Sequence, residues 1–116
     1  MEGLDGLLFL EELYLSDQGI AAIEGIEALQ KLNTLDLTNN QLTSTKGLPH
    51  LPLLTDLWLA ANKISSYEDV DSMQPLIPVI DTLHLERNPM AQDFEYRKHL
   101  KAKFPTLHYI DATACV

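Results

Sequence analysis

Leu32-Asn33-Thr34-Leu35-Asp36-Leu37-Thr38-Asn39-Asn40-Gln41-Leu42 comes back 22 residues later as Leu54-Thr55-Asp56-Leu57-Trp58-Leu59-Ala60-Ala61-Asn62-Lys63-Ile64. Only the apolar positions and one Asn keep their places. The same five positions occur upstream as Leu10, Leu13, Leu15, Gln18 and Ile20, and downstream as Ile80, Leu83, Leu85, Asn88 and Met90. The copies are spaced by 22, 22 and 26 residues. A fixed period in this range marks a stack of small structural units rather than one globular core.

The pattern has a physical reading. Leu-x-Leu is a short strand with alternate side chains turned inward. One such strand cannot bury its apolar side alone, so successive copies stack into a parallel sheet over a continuous core. The Asn falls where the chain leaves the strand, and its amide can satisfy buried backbone groups there. Gln18 occupies that place in the first copy and predicts a looser junction. The intervening segments repeat every third residue, at Ile23, Ile26, Leu29 and Leu32 and again at Leu48, Leu51 and Leu54, a spacing suited to 3-10 turns. The expected fold class is α/β: a leucine-rich-repeat solenoid with short parallel strands on the concave face, 3-10 turns on the convex face and a C-terminal capping helix.

The longer stretch between Ile64 and Ile80 carries Pro75 and Pro78, and predicts a helical turn bearing Tyr67, Val70 and Met73 followed by a stiff return. In the tail, Tyr96, Leu100 and Phe104 lie on one helical face, with Asp93 placed to cap the start and Pro105 to stop the end. This helix is the expected lid over the last strand, which Leu107, Ile110 and Ala112 supply in degenerate form. At the opposite end Leu4, Leu7 and Leu10 read as the tail of another unit's turn. The whole chain is therefore expected to form a single repeat domain, residues 1–90 as about four repeats and 91–116 as the cap, and to be part of a longer solenoid. The uncapped N-terminal end is an expected surface for self-association.

Composition narrows the partners. The net charge is −9, made of 14 acidic and 3 basic residues through Glu86 and 3 acidic and 5 basic from Arg87 onward. Nucleic acid and anionic membrane surfaces need clustered Lys and Arg, so neither is an expected partner; a basic protein surface is. A lone cysteine, Cys115, allows no internal disulfide, and the start has no signal-peptide pattern. Nucleus or cytoplasm is the expected location.

The residues between the strand leucines turn to the concave surface. The middle position reads Tyr14, Asp36, Trp58 and His84; the position before it reads Glu12, Thr34, Asp56 and Thr82. With strands ~5 Å apart, each set forms a column. An outward Trp is the commonest kind of binding hot spot. The predicted partner-binding residues are Glu12, Tyr14, Asp36, Asp56, Trp58, His84 and Glu86, an acidic basin around an indole that suits a partner offering Arg or Lys beside an apolar group. No phosphate loop, nucleophile motif or metal-ligand spacing is present among His50, His84, His99, His108 and Cys115, so no catalytic residue, cofactor or metal is expected and the chain is read as a non-enzyme.

Several stretches carry a more specific likeness: Leu10 to Leu15, Leu54 to Leu59, Leu83 to Pro89, and the closing Tyr96-Arg97, Phe104-Pro105 and Ile110-Asp111-Ala112-Thr113. They resemble the last repeats of the protein phosphatase 1 regulatory subunit 7 family. The resemblance spans essentially the whole chain but only the C-terminal part of that family's solenoid. It implies regulation of the catalytic subunit of type-1 Ser/Thr phosphatase, bound through the concave face, with Asp36, Asp56 and Trp58 at matching contact positions. Where that family has Tyr, this chain has His84. The competing expectation is a scaffold subunit of spliceosomal or axonemal dynein type, built from the same repeats.

Overall fold

The computed structural model describes residues 6–111 and 113–114. Each predicted Leu-x-Leu core is a three-residue strand: β1 Glu12–Tyr14, β2 Thr34–Asp36, β3 Asp56–Trp58 and β4 Thr82–His84. The strands pair in order and in parallel. Leu13, Leu35, Leu57 and Leu83 lie side by side, so one register repeats through the sheet. β5, Tyr109–Ile110, continues the parallel run, and β6, Thr113–Ala114, folds back antiparallel on β5. The degenerate last strand is thus real, although its expected member Ala112 and the N-terminal Leu4 lie outside the described residues.

The core is a column of leucines and isoleucines buried between this sheet and the turns behind it. Those turns close with isolated backbone bonds from residue i+3 to i, as in Leu29 to Ile26, Leu32 to Leu29 and Leu54 to Leu51. The three-residue period is therefore realised as single turns. A run of 3-10 helix occurs only at Pro89–Gln92 among the described residues. The long segment forms the expected helical turn as α1, Tyr67–Asp71, with Val70 buried on it and Met73 buried two residues past its end.

Two devices hold the repeats in step. Asn40, Asn62 and Asn88 are buried; the Asn62 amide donates to Leu37, Leu59 and Ala60 carbonyls at 3.0 to 3.2 Å and its oxygen accepts the Leu42 N–H at 3.0 Å. Asn88 does the same one repeat later, bonding Leu59, Leu85 and Ile64. The Gln18 side chain is exposed and donates to the Ser16 carbonyl, but the junction of the first two repeats is not looser as expected: Asn40 bridges it, donating to the Leu15 carbonyl and accepting the Gln18 and Ile20 N–H groups, each at 3.0 Å. Just before each of these positions the backbone turns left-handed, at Asp17, Asn39, Ala61 and Arg87, with φ between 56° and 62°.

The cap is α2, Tyr96–Lys103, which buries Tyr96 and Leu100, with Phe104 buried just beyond it. Its N-cap is Glu95, not Asp93. Asp93 stands two residues earlier, where its Oδ1 accepts the Glu95 N–H at 3.0 Å and its Oδ2 accepts the Tyr67 hydroxyl at 2.9 Å. A tight turn before the helix takes over the capping role. At the other end Leu7, Leu8 and Phe9 are exposed and β1 has an open edge among the described residues. No described helix is long and apolar enough to cross a membrane.

A candidate protein-binding face

Because the register is constant, the middle strand positions become neighbours: Tyr14 beside Asp36, Asp36 beside Trp58, Trp58 beside His84. Glu12, Thr34, Asp56 and Thr82 form the parallel column next to them. The two predicted columns thus share one side of the sheet. The flanking leucines fix this arrangement, since each is driven into the core and leaves the residue between them no other direction.

The details distinguish members of the set. Tyr14 is exposed, and its hydroxyl donates to Glu12 Oε1 at 2.8 Å. That hydrogen bond raises the phenol's pKa, with Asp36 and Asp56 adding to the effect through their charge. Asp36 turns one oxygen to the Thr38 N–H at 2.9 Å, which fixes its rotamer. Asp56 and Trp58 are half-buried. The indole of Trp58 lies flat on the His84 imidazole, centroids 3.6 Å apart and planes 9° apart.

His84 is only 5% exposed, so its ring supports the indole from beneath and is not itself open to a partner. Burial lowers its pKa, against the opposing charges of Asp111, Asp56 and Asp36. Glu86 is half-buried, and burial followed by the Asp111 carboxylate beside it pushes its pKa up to about 7. Two further acids of the repeats are already engaged: Asp81 is paired with His108 Nδ1 at 2.5 Å, and Asp17 receives the Asn39 amide. The open acidic centre is therefore Glu12, Asp36 and Asp56.

One residue that strand-pattern reasoning left out of the set is Asp111. Ile110 pairs with Leu83, so Asp111 comes directly after the pair and ends the middle column beyond His84. Its Oδ1 accepts the Leu85 and Glu86 N–H groups at 2.9 and 3.1 Å, and the Tyr96 hydroxyl donates to both of its oxygens at 3.0 and 3.1 Å. Burial, then the charge of Asp111 and that bond, raise the Tyr96 phenol. The signal in the sequence was the position one residue after the leucine-equivalent Ile110. No third leucine followed to mark it as a strand.

No curated protein matches the chain. Among solved structures, a chain of the SNF/U2A′ complex of Drosophila melanogaster superposes with a TM-score of 0.68 at 26% identity, over 90% of this chain and 74% of that one. The Mex67:Mtr2 subunits of Chaetomium give 0.63 at 21% identity, over 78% of this chain and 64% of theirs, and share the fold. Internalin C2 of Listeria monocytogenes gives 0.62 at 23%, over 92% of this chain and 52% of its own length, and likewise shares the fold. The leucine-rich repeat family matches continuously over residues 7–114, the same span that carries the leucine register, the Asn rungs and the capping helix. The chain therefore belongs to the leucine-rich repeat family.

Proposed function

We propose that this chain is a non-catalytic binding module that takes a basic protein partner on its concave face. The observation that carries the reading is the placement of Trp58, half-exposed and braced on His84, directly beside Asp36 and in the strand that also bears Asp56. A rigid aromatic surface within an acidic field suits a partner that presents Arg or Lys next to an apolar group, since indole faces attract cations and carboxylates anchor them.

The finer reading is a regulatory subunit of type-1 Ser/Thr protein phosphatase, acting in nucleus and cytoplasm and contacting the catalytic subunit through Asp36, Asp56 and Trp58. Its support is the sequence resemblance at those positions. A second reading, a scaffold subunit of spliceosomal type, is favoured by the 26% identity to a chain of the SNF/U2A′ complex.

A pull-down decides between them. Under the first reading the type-1 catalytic subunit is captured by the wild-type chain. Trp58→Ala and Asp56→Ala each weaken capture, the former by about thirtyfold or more, as expected for a hot spot worth ~2 kcal/mol. Both variants keep a thermal melt near wild type. Capture of an RNA-binding protein without phosphatase supports the second reading, and undiminished binding by Trp58→Ala removes the face from either.

A further inference from the structure

Beneath the stacked indole the structure gathers three donors from two different repeats. One nitrogen of His84 and one carboxylate oxygen each from Glu86 and Asp111 lie within 4.8 Å of one another. His84 and Glu86 come from β4 and its end, while Asp111 comes from the turn after β5. Only the pairing of β4 with β5 brings them together.

Two features set this group apart from an ordinary acidic surface. The first is His84 itself. It is a polar ring 95% removed from solvent, and its Nδ1 points at Glu86 Oε1 across 3.7 Å, too far for a hydrogen bond, with neither ring nitrogen hydrogen-bonded among the described residues. The second is Glu86 Oε2, a buried carboxylate oxygen with no hydrogen-bond partner. Buried polar groups are nearly always satisfied, so an orphan carboxylate oxygen on the residue that faces a largely buried, unbonded imidazole calls for an occupant. The other two His–carboxylate contacts differ. His99 with Asp71 at 2.8 Å and His108 with Asp81 at 2.5 Å are already satisfied as pairs.

We propose that His84, Glu86 and Asp111 form a binding site for a divalent transition-metal ion of the Zn²⁺ class. One imidazole and two carboxylates match the ligand preferences of such ions, whereas Mg²⁺ and Ca²⁺ prefer oxygen alone. Metal–ligand bonds of about 2.0–2.2 Å put tetrahedral donors ~3.4 Å apart, so the cluster contracts slightly on binding, chiefly through the longer Glu86 side chain. Asp111 is already oriented by the Leu85 and Glu86 amides and by Tyr96, the outer-shell bonding that fixes a ligating carboxylate. Trp58 holds the imidazole plane from above. The half-exposed side of Glu86 leaves the fourth position for water.

Trp58 is the chain's one tryptophan, so its fluorescence reads out the site directly. Zn²⁺ titrated calorimetrically into the full chain at neutral pH should saturate at one ion per chain. Ni²⁺ should quench Trp58 and be displaced by Zn²⁺. His84→Phe keeps the aromatic stack while removing the nitrogen, and Glu86→Gln keeps the shape; each should weaken binding at least tenfold, the loss typical of removing a ligand or its support. If His84→Phe does not fold, Glu86→Gln carries the test alone. Binding should survive in His99→Ala, His108→Ala and Cys115→Ser. Absence of saturable binding overturns the proposal, as does equal affinity in the His84 and Glu86 variants. Loss in any of the three control variants overturns it too, and means an adventitious ion only.

Discussion

Gly47 shows how closely consecutive units approach. Its φ is +95°, and a Cβ built on it would stand 1.9 Å from the Ile23 carbonyl oxygen, a backbone atom of the preceding unit that has no freedom to move aside. Gly47→Ala combines an unfavourable left-handed geometry with a clash and should cost about 2–3 kcal/mol, read as a lowered urea midpoint at unchanged m. Nothing in the local sequence marks this contact, because the atom it concerns is 24 residues away. The leucine and Asn positions were legible since each recurs as one residue type, fixed by burial and by backbone carbonyls in need of donors. The left-handed positions Asp17, Asn39, Ala61 and Arg87 were not, since four residue types fill one backbone geometry. The burial of His84 was hidden as well: it depends on how Trp58 lies on the adjacent strand, not on the place of His84 in its own.

Among elements, the strands were placed within a residue because three-residue Leu-x-Leu segments admit one register. The start of α2 was misplaced because Asp93 has the chemistry of an N-cap but spends it on a turn. Its carboxylate holds the Glu95 N–H and the Tyr67 hydroxyl, tying α1 to the approach of α2, and these bonds, the Glu95 N–H first, lower its pKa below the usual 3.8. A carboxyl depressed in the folded chain stabilises it above the unfolded value and loses that contribution as pH falls through the folded one. A carboxyl-carbon NMR titration should place the Asp93 midpoint below 3.8, and Tyr67→Phe should move it upward. A midpoint unaffected by Tyr67→Phe would show that the tie does not persist in solution.

At the scale of the whole molecule, stability is a chain of neighbour-to-neighbour terms, since each repeat touches mainly the ones beside it. Phe104, 1% exposed, seals the last of these interfaces. Phe104→Ala should lower the unfolding free energy by about 3–5 kcal/mol. It should also do so unevenly: hydrogen exchange is expected to quicken first at β4 and β5 and least at β2. Uniform acceleration would mean that the stack unfolds as one unit. The solenoid and its concave columns followed from the repeat period, and the cap from the helical spacing of Tyr96, Leu100 and Phe104. The cluster of His84, Glu86 and Asp111 did not, because its members belong to different repeats and Asp111 follows a strand cut to two residues.

The strand order also separates charge. Glu12, Asp36 and Asp56 lie on the first three strands, whereas Arg97, Lys98, Lys101 and Lys103 ride on the helix that closes the far end. Such a separation gives the molecule an electric dipole along the stacking direction. A cationic protein diffusing nearby feels a torque before it feels a surface, so encounters begin already aligned. The speed of capture, and not only its lifetime, should then fall as ions in the medium screen that field.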